Sequence, residues 1–158
     1  MQNLLFPQYQ LIKESRAVVF HFLESEVGND ISLPVASFND KTLRYMLVHV
    51  ANTYIAWINN FALGGTMAYF DDEAVSDIPQ IREIFLLVDG FMATFCTKYA
   101  QNPTLPISGY KWVDKYIETD SYSIFTHVIT HEFHHKGQSM TMSRLLGHIP
   151  PDTDVMRF

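Results

Sequence analysis

The sequence predicts an all-α protein, a four-helix bundle with one long crossover before the last helix. Three observations carry this prediction. Apolar residues recur at three- and four-residue spacing in four separate stretches of roughly 20 residues. Almost nothing alternates with the period of two that a half-buried strand shows. The chain of 158 residues, 47% hydrophobic and 18% charged, has the size and composition of one globular domain, which we take to span 1–158. At this length folding hides on the order of 70% of the unfolded surface, so no metal is needed to hold the fold and any metal present is functional.

The first helix runs from about Gln8 to Val27, with Ile12, Val19, Leu23 and Val27 on one stripe and Gly28 just past its end. Asn29, Asp30, Ser32 and Pro34 make the following stretch a loop. Asn39 is a suitable N-cap for a second helix whose stripe is Leu43, Met46, Leu47, Val50, Tyr54, Trp57 and Phe61, stopped by Gly64-Gly65. After an acidic loop from Asp71 to Asp77, Pro79 fits the first turn of a third helix, where its missing N–H costs little. Ile81, Ile84, Phe85, Val88, Phe91, Met92, Phe95 and Tyr99 form that helix's stripe, and Asn102-Pro103 stops it. Pro103 to Thr119 has no helical period and is the crossover, with Tyr110-Lys111-Trp112-Val113 weakly alternating as an extended segment. The fourth helix starts at Asp120 or Ser121 and ends at Gly147, on the stripe Ile124, Val128, His131, His135, Gln138, Met142 and Leu145.

Composition excludes several roles. Eleven basic and 17 acidic residues give a net charge of −6, and no Lys/Arg cluster is present to meet a phosphate backbone, so nucleic acid is not an expected partner. The apolar run Ile84 to Phe95 is broken by Asp89 and Gly90 and is too short to span a bilayer. Cys96 is the single cysteine, and Met1 to Pro7 lacks the charged and apolar regions of a signal peptide, which leads us to expect a cytoplasmic protein. Small soluble proteins that assemble do so most often as dimers, so a homodimer is expected, without residues that specify its interface.

The strongest chemical signal is a cluster of histidines. Four of the seven, His127, His131, His134 and His135, lie within nine residues of the fourth helix. At about 100° per residue, His131 and His135 are about 40° apart and one turn displaced, so their imidazoles can converge on one ion. Both fall on the inward stripe, where each needs a hydrogen bond or a shared ligand. A third ligand is available in His49, the only histidine of the second helix, beside Met46 and Val50; packing without a ligand is the alternative for it. His127 and His134 sit about a turn from these positions, leaving open substrate contact, ligand support or solvation. His21 and His148 read as hydrogen-bonded core residues.

His131-Glu132-Phe133-His134-His135 also matches HExxH, in which two histidines bind zinc and the glutamate activates water for peptide hydrolysis. The extensions that such peptidases require are missing. Gln138 and Thr141 stand where the metzincin pattern has Gly and His, and no Glu follows Glu132 to serve as a downstream ligand.

Leu43 to Val50 with His49 and the following Trp57, the segment His131-Glu132-Phe133-His134-His135-Lys136-Gly137-Gln138, and the tail Gly147 to Asp154 together resemble the DinB/YfiT-like superfamily of metal-binding four-helix bundles over nearly the whole chain. The family's signature there is HxxxH(R/K)GQ, and Lys136 stands where Arg is more usual, which keeps the charge and loses the planar fork. The resemblance implies that His49, His131 and His135 are the metal triad, holding one divalent ion, with Zn, Ni, Mn and Fe all open. It also implies the reaction class of some members, metal-dependent transfer to a low-molecular-weight thiol. An open position on such an ion lowers the pKa of a bound thiol or water. Glu132 is then the candidate catalytic base; its alternative is a solvent-facing helix residue about 100° from His131. A metal- or small-ligand-binding stress protein without turnover, and an HExxH hydrolase, are the competing functions. Cys96, beside Phe95 on a buried face, is expected to be inert. Trp57, Trp112, Tyr54 and Tyr110 either line a substrate mouth or fill the core.

Overall fold

The computed structural model of the chain describes residues 4–157. Helix α1, Leu5–Phe22, begins a turn earlier than its stripe predicts, because Pro7 is tolerated in a first turn. It runs into a wider π-helical turn, Leu23–Val27, and a 3-10 turn, Gly28–Ser32. Gly28 takes φ +56° and ψ −127°, a positive-φ conformation that costs least when no Cβ is present. The predicted stripe Ile12, Val19, Leu23 and Val27 is buried.

Helix α2 spans Leu43–Tyr54, and its N-cap is Thr42 rather than Asn39. Thr42 Oγ1 accepts from the Tyr45 backbone N–H at 2.9 Å. Asn39 is unavailable for capping because Asn39 and Asp40 have φ +53° and +57° and turn the chain after the 3-10 segment Ala36–Phe38. A bridge between Val35 and Lys41 closes that turn. Beyond Tyr54 the helix continues as a π-helical stretch, Ile55–Ala62. The next loop is held along α2 by two asparagines. Asn52 exchanges two hydrogen bonds with the Phe70 backbone, and Asn60 does the same with Met67, each at 2.8 and 2.9 Å.

Helix α3, Ile78–Lys98, starts after Asp77, whose carboxylate accepts from the Gln80 backbone N–H at 3.0 Å. Its predicted stripe is buried except for the half-buried Phe91. The crossover then departs from the prediction. It contains an antiparallel hairpin, β1 Pro106–Trp112 and β2 Lys115–Asp120, with Pro106 opposite Asp120, Tyr110 opposite Tyr116 and a bulge before Trp112. The chain is therefore mostly, and not wholly, helical. Alternation was faint because neither strand buries a face: residues along β1 alternate only between half-buried and exposed.

Helix α4, Ser121–Leu145, is capped by Asp120, which accepts from the Ser123 N–H at 2.7 Å. Each of α1 and α2 packs against both α3 and α4, and all four share one apolar core. The buried line of α4 differs from the predicted one. Ile124, Val128 and Met142 are in the core as expected, but Leu145 is 58% exposed, and Glu132, Ser139 and Ser143 take inward positions. Among the described residues no helix is long and apolar enough to cross a membrane.

Candidate metal centre

Packing of α2 against α4 brings His49 to His131 and His135. One nitrogen from each lies within 4.8 Å of the others. Ring centroids are 5.0 Å apart for His49 and His131, 4.8 Å for His49 and His135, and 4.4 Å for His131 and His135. The Nε2 atoms of His131 and His135 face each other at 3.2 Å. Nitrogens held about 2.0–2.1 Å from a tetrahedral ion stand about 3.3 Å apart, so this pair is already at ligand spacing. All three rings are half-buried, neither sealed in the core nor free in solvent.

Hydrogen bonding fixes which nitrogens face the centre. His135 Nδ1 is 2.6 Å from Gln138 Oε1, which only accepts, so the ring donates there and presents a bare Nε2. Gln138, three residues further along α4, thus orients His135, as outer partners of metal histidines commonly do. His131 Nδ1 is buried with no hydrogen-bond partner among the described residues. Burial keeps these rings neutral. It pulls His131 down to about 4, with the neighbouring histidines adding to the effect. His49 is lowered by burial and then by Lys41, and His135 by burial against the opposing Gln138 hydrogen bond. Neutral imidazole is the form that binds metal, so the set fits a divalent ion of the Zn, Ni or Fe kind better than Mg or Ca.

Glu132 does not face solvent. It is buried, and both carboxylate oxygens are taken: Arg16 donates Nε to Oε1 at 2.7 Å and Nη2 to Oε2 at 2.9 Å, and the Tyr54 hydroxyl donates to Oε2 at 2.6 Å. Arg16 Nη1 also reaches Asp89 at 2.8 Å, Tyr9 donates to the same Asp89 oxygen at 2.7 Å, and Lys13 pairs with Asp89 at 3.1 Å. Residues of α1, α2, α3 and α4 therefore meet in one polar network behind the histidines. Burial pushes both Tyr9 and Tyr54 up, so they remain donors. Sequence reading missed Arg16, although a lone arginine between Ser15 and Ala17 on an apolar helix was a visible signal.

The remaining residues sort clearly. His127 is exposed and packs edge-on against Trp57 at 5.1 Å, while His134 is exposed beside His135 at 5.0 Å. His21 is exposed, contrary to the core reading, and His148 is half-buried with Nε2 2.9 Å from Asp30 Oδ2. Lys136 donates to the Thr153 carbonyl oxygen at 2.6 Å and to Ser15 Oγ at 3.2 Å, clasping the tail onto α1. A point charge suffices there, so the absent arginine fork is no loss. Cys96 is buried, and its thiol is pushed up to about 11 by desolvation.

Beside the triad lies an open groove of about 340 Å³, lined by His49, Thr53, Trp57, Tyr69, Lys111 and Trp112 among others. Of the four aromatics singled out from the sequence, Trp57 and Trp112 line this groove, Tyr110 lines an adjoining one, and Tyr54 is fully buried. Tyr69 reaches the groove on the loop that Asn52 and Asn60 hold in place.

The model of the DinB family matches residues 1–158. Among solved structures the chain is similar to a DinB-like protein from Bacillus cereus, with a TM-score of 0.70 and 16% identity over 94% of each chain. No curated protein matches the chain significantly. The DinB-like structure supports the fold, and the full-length family match, together with histidines brought to ligand spacing by two packed helices, leads to one assignment: the chain belongs to the DinB family.

Proposed function

We propose that the protein is a divalent-metal-dependent enzyme that transfers a group to a low-molecular-weight thiol, with His49, His131 and His135 as the ligands. The observation that carries this reading is the triad itself: three neutral imidazoles at ligand spacing, one of which, His49, lines a groove large enough for a small molecule. Three protein ligands leave a coordination position for substrate. A divalent ion held there supplies one thing, a lowered pKa for a coordinating thiol, so that the thiolate nucleophile forms near neutral pH. The chain's own residues do the rest. Gln138 holds His135 with Nε2 inward, and Tyr45, stacked on His49 at 5.8 Å with nearly parallel planes, fixes the third ring. Trp57 and Trp112 line the groove together with His49.

The HExxH hydrolase reading has less support. A zincin glutamate must be free to take a proton from water, whereas both oxygens of Glu132 already accept charge-assisted or hydroxyl hydrogen bonds. We assign Glu132 to positioning α4 rather than to proton transfer.

Metal analysis and a conjugation assay test the proposal together. We expect about one divalent ion per chain after purification without chelator, loss of binding in His131→Ala and His135→Ala, and chelator-sensitive conjugation of a generic electrophile to at least one member of a small-thiol panel. Stoichiometric metal with no conjugation across the panel would favour a binding protein. Chelator-sensitive proteolysis of casein lost in Glu132→Gln would favour the hydrolase.

A further inference from the structure

Lys111 stands on β1 at the wall of the triad's groove. Its Nζ donates to the Ala56 carbonyl oxygen at 3.2 Å and lies 4.3 Å from the Trp57 ring centroid and 5.3 Å from that of Trp112. An ammonium has three donors, and one is engaged by Ala56. Among the described residues no carboxylate stands within ion-pair distance of it. On the other side of His49, Lys41 Nζ sits 3.9 Å from the centroid of Tyr45, the ring stacked on that histidine. The groove's lining contains Lys111 and no carboxylate. In a chain of net charge −6, a groove lined by a lysine and no carboxylate is a local reversal of the molecule's field.

We propose that this groove binds a small organic molecule through a carboxylate on Lys111, with a flat or apolar portion against Trp57 and Trp112 and the rest of the molecule reaching the histidine triad. A carboxylate fits better than a phosphate dianion, because one ammonium without an arginine or a helix N-terminus beside it matches a single negative charge. The half-buried position strengthens the pairing relative to bulk water, and the two indole rings supply stacking surface that a neutral flat group can use. This deepens the thiol-transfer reading by naming the charge of what enters the groove, yet it is measured without metal or thiol.

Trp57 and Trp112 are the only two tryptophans of the chain, and both line the groove, so intrinsic fluorescence reports its occupancy. The chelator-treated full chain is titrated with phenylacetate and with its neutral near-isostere phenylacetamide, in the parent, Lys111→Met and Lys111→Arg. Chelation keeps the carboxylate from coordinating a metal. We expect phenylacetate to bind about tenfold or more tightly than the amide, a difference of about 1.4 kcal/mol. Lys111→Met should level the two affinities and Lys111→Arg should preserve the preference. Equal affinities in the parent, no response to either probe, or a preference that survives in Lys111→Met would overturn the inference. Circular dichroism matching the parent shows that each variant is folded, and Lys111→Arg supports the assignment if Lys111→Met is not. Anion preference without thiol conjugation would sink the transferase reading alone, and conjugation without anion preference would sink this one alone.

Discussion

Neighbouring residues on one helix are given opposite tasks by a rotation of about 100°. His131 faces α2 and His49, while Glu132 faces the interior and Arg16. Glu132→Gln is accordingly expected to leave the metal stoichiometry of the folded protein unchanged while lowering stability by about 1–3 kcal/mol, since it weakens a buried charge-assisted pair. Metal analysis beside urea unfolding distinguishes this from a catalytic base, which would lose turnover without losing stability. Cys96 gives a pH prediction with a definite sign. Its thiol is raised from 9.0 to about 11 in the fold, so between those values the unfolded chain releases a proton that the native chain retains. Stability contributed by the neutral thiol is present below pH 9 and is lost as pH rises toward 11. Iodoacetamide should therefore label the native protein slowly at pH 8 and rapidly once it is denatured, because only thiolate reacts; equally fast labelling of the native protein would contradict the burial.

At the scale of elements, capping decided where α2 begins. Asn39 has the right chemistry for an N-cap, but its left-handed backbone cannot supply the extended conformation a cap requires, and Thr42, with ψ 161°, can. Thr42→Ala should cost about 1 kcal/mol of stability, whereas Asn39→Gly should be close to neutral because glycine adopts the same φ without strain. Thermal melts of the two variants check the pair; a larger loss in Asn39→Gly would restore the original cap. The hairpin is the element that sequence patterning recovered least. Its weak alternation gave Tyr110 to Val113 as extended and gave no partner strand, since pairing is made by backbone groups that carry no side-chain signature. The hairpin brings Lys111 and Trp112 to the groove, so one wall of the groove depended on the part of the chain least legible in advance.

Across the whole molecule, the Arg16 network is the joint between the helices, contributed by α1, α2, α3 and α4 together. A buried ion pair is not in itself a strong stabiliser, but removing one partner leaves an uncompensated charge in the interior. Arg16→Met is expected to cost about 3–5 kcal/mol, because Glu132 loses its cation while Asp89 keeps Lys13. Adding Glu132→Gln to Arg16→Met should cost less than the sum of the single changes, as residues of one network are coupled. Additive losses in denaturant midpoints would show that the two act separately.

Local pattern was enough to place the four helices, most of their buried stripes and a pair of α4 histidines at ligand spacing. Those depend on local periodicity, on glycine and proline punctuation, and on the one-turn spacing of His131 and His135. Packing between elements was needed to bring His49, which the sequence offered only by resemblance, to the α4 pair, to hold Glu132 with Arg16 and Tyr54, and to put Lys111 and the two tryptophans on one groove. These are contacts between residues 78 to 116 positions apart or brought in by a hairpin. No local pattern encodes them, because they are set by which faces of the helices pack together and by where an otherwise exposed ribbon returns to the bundle.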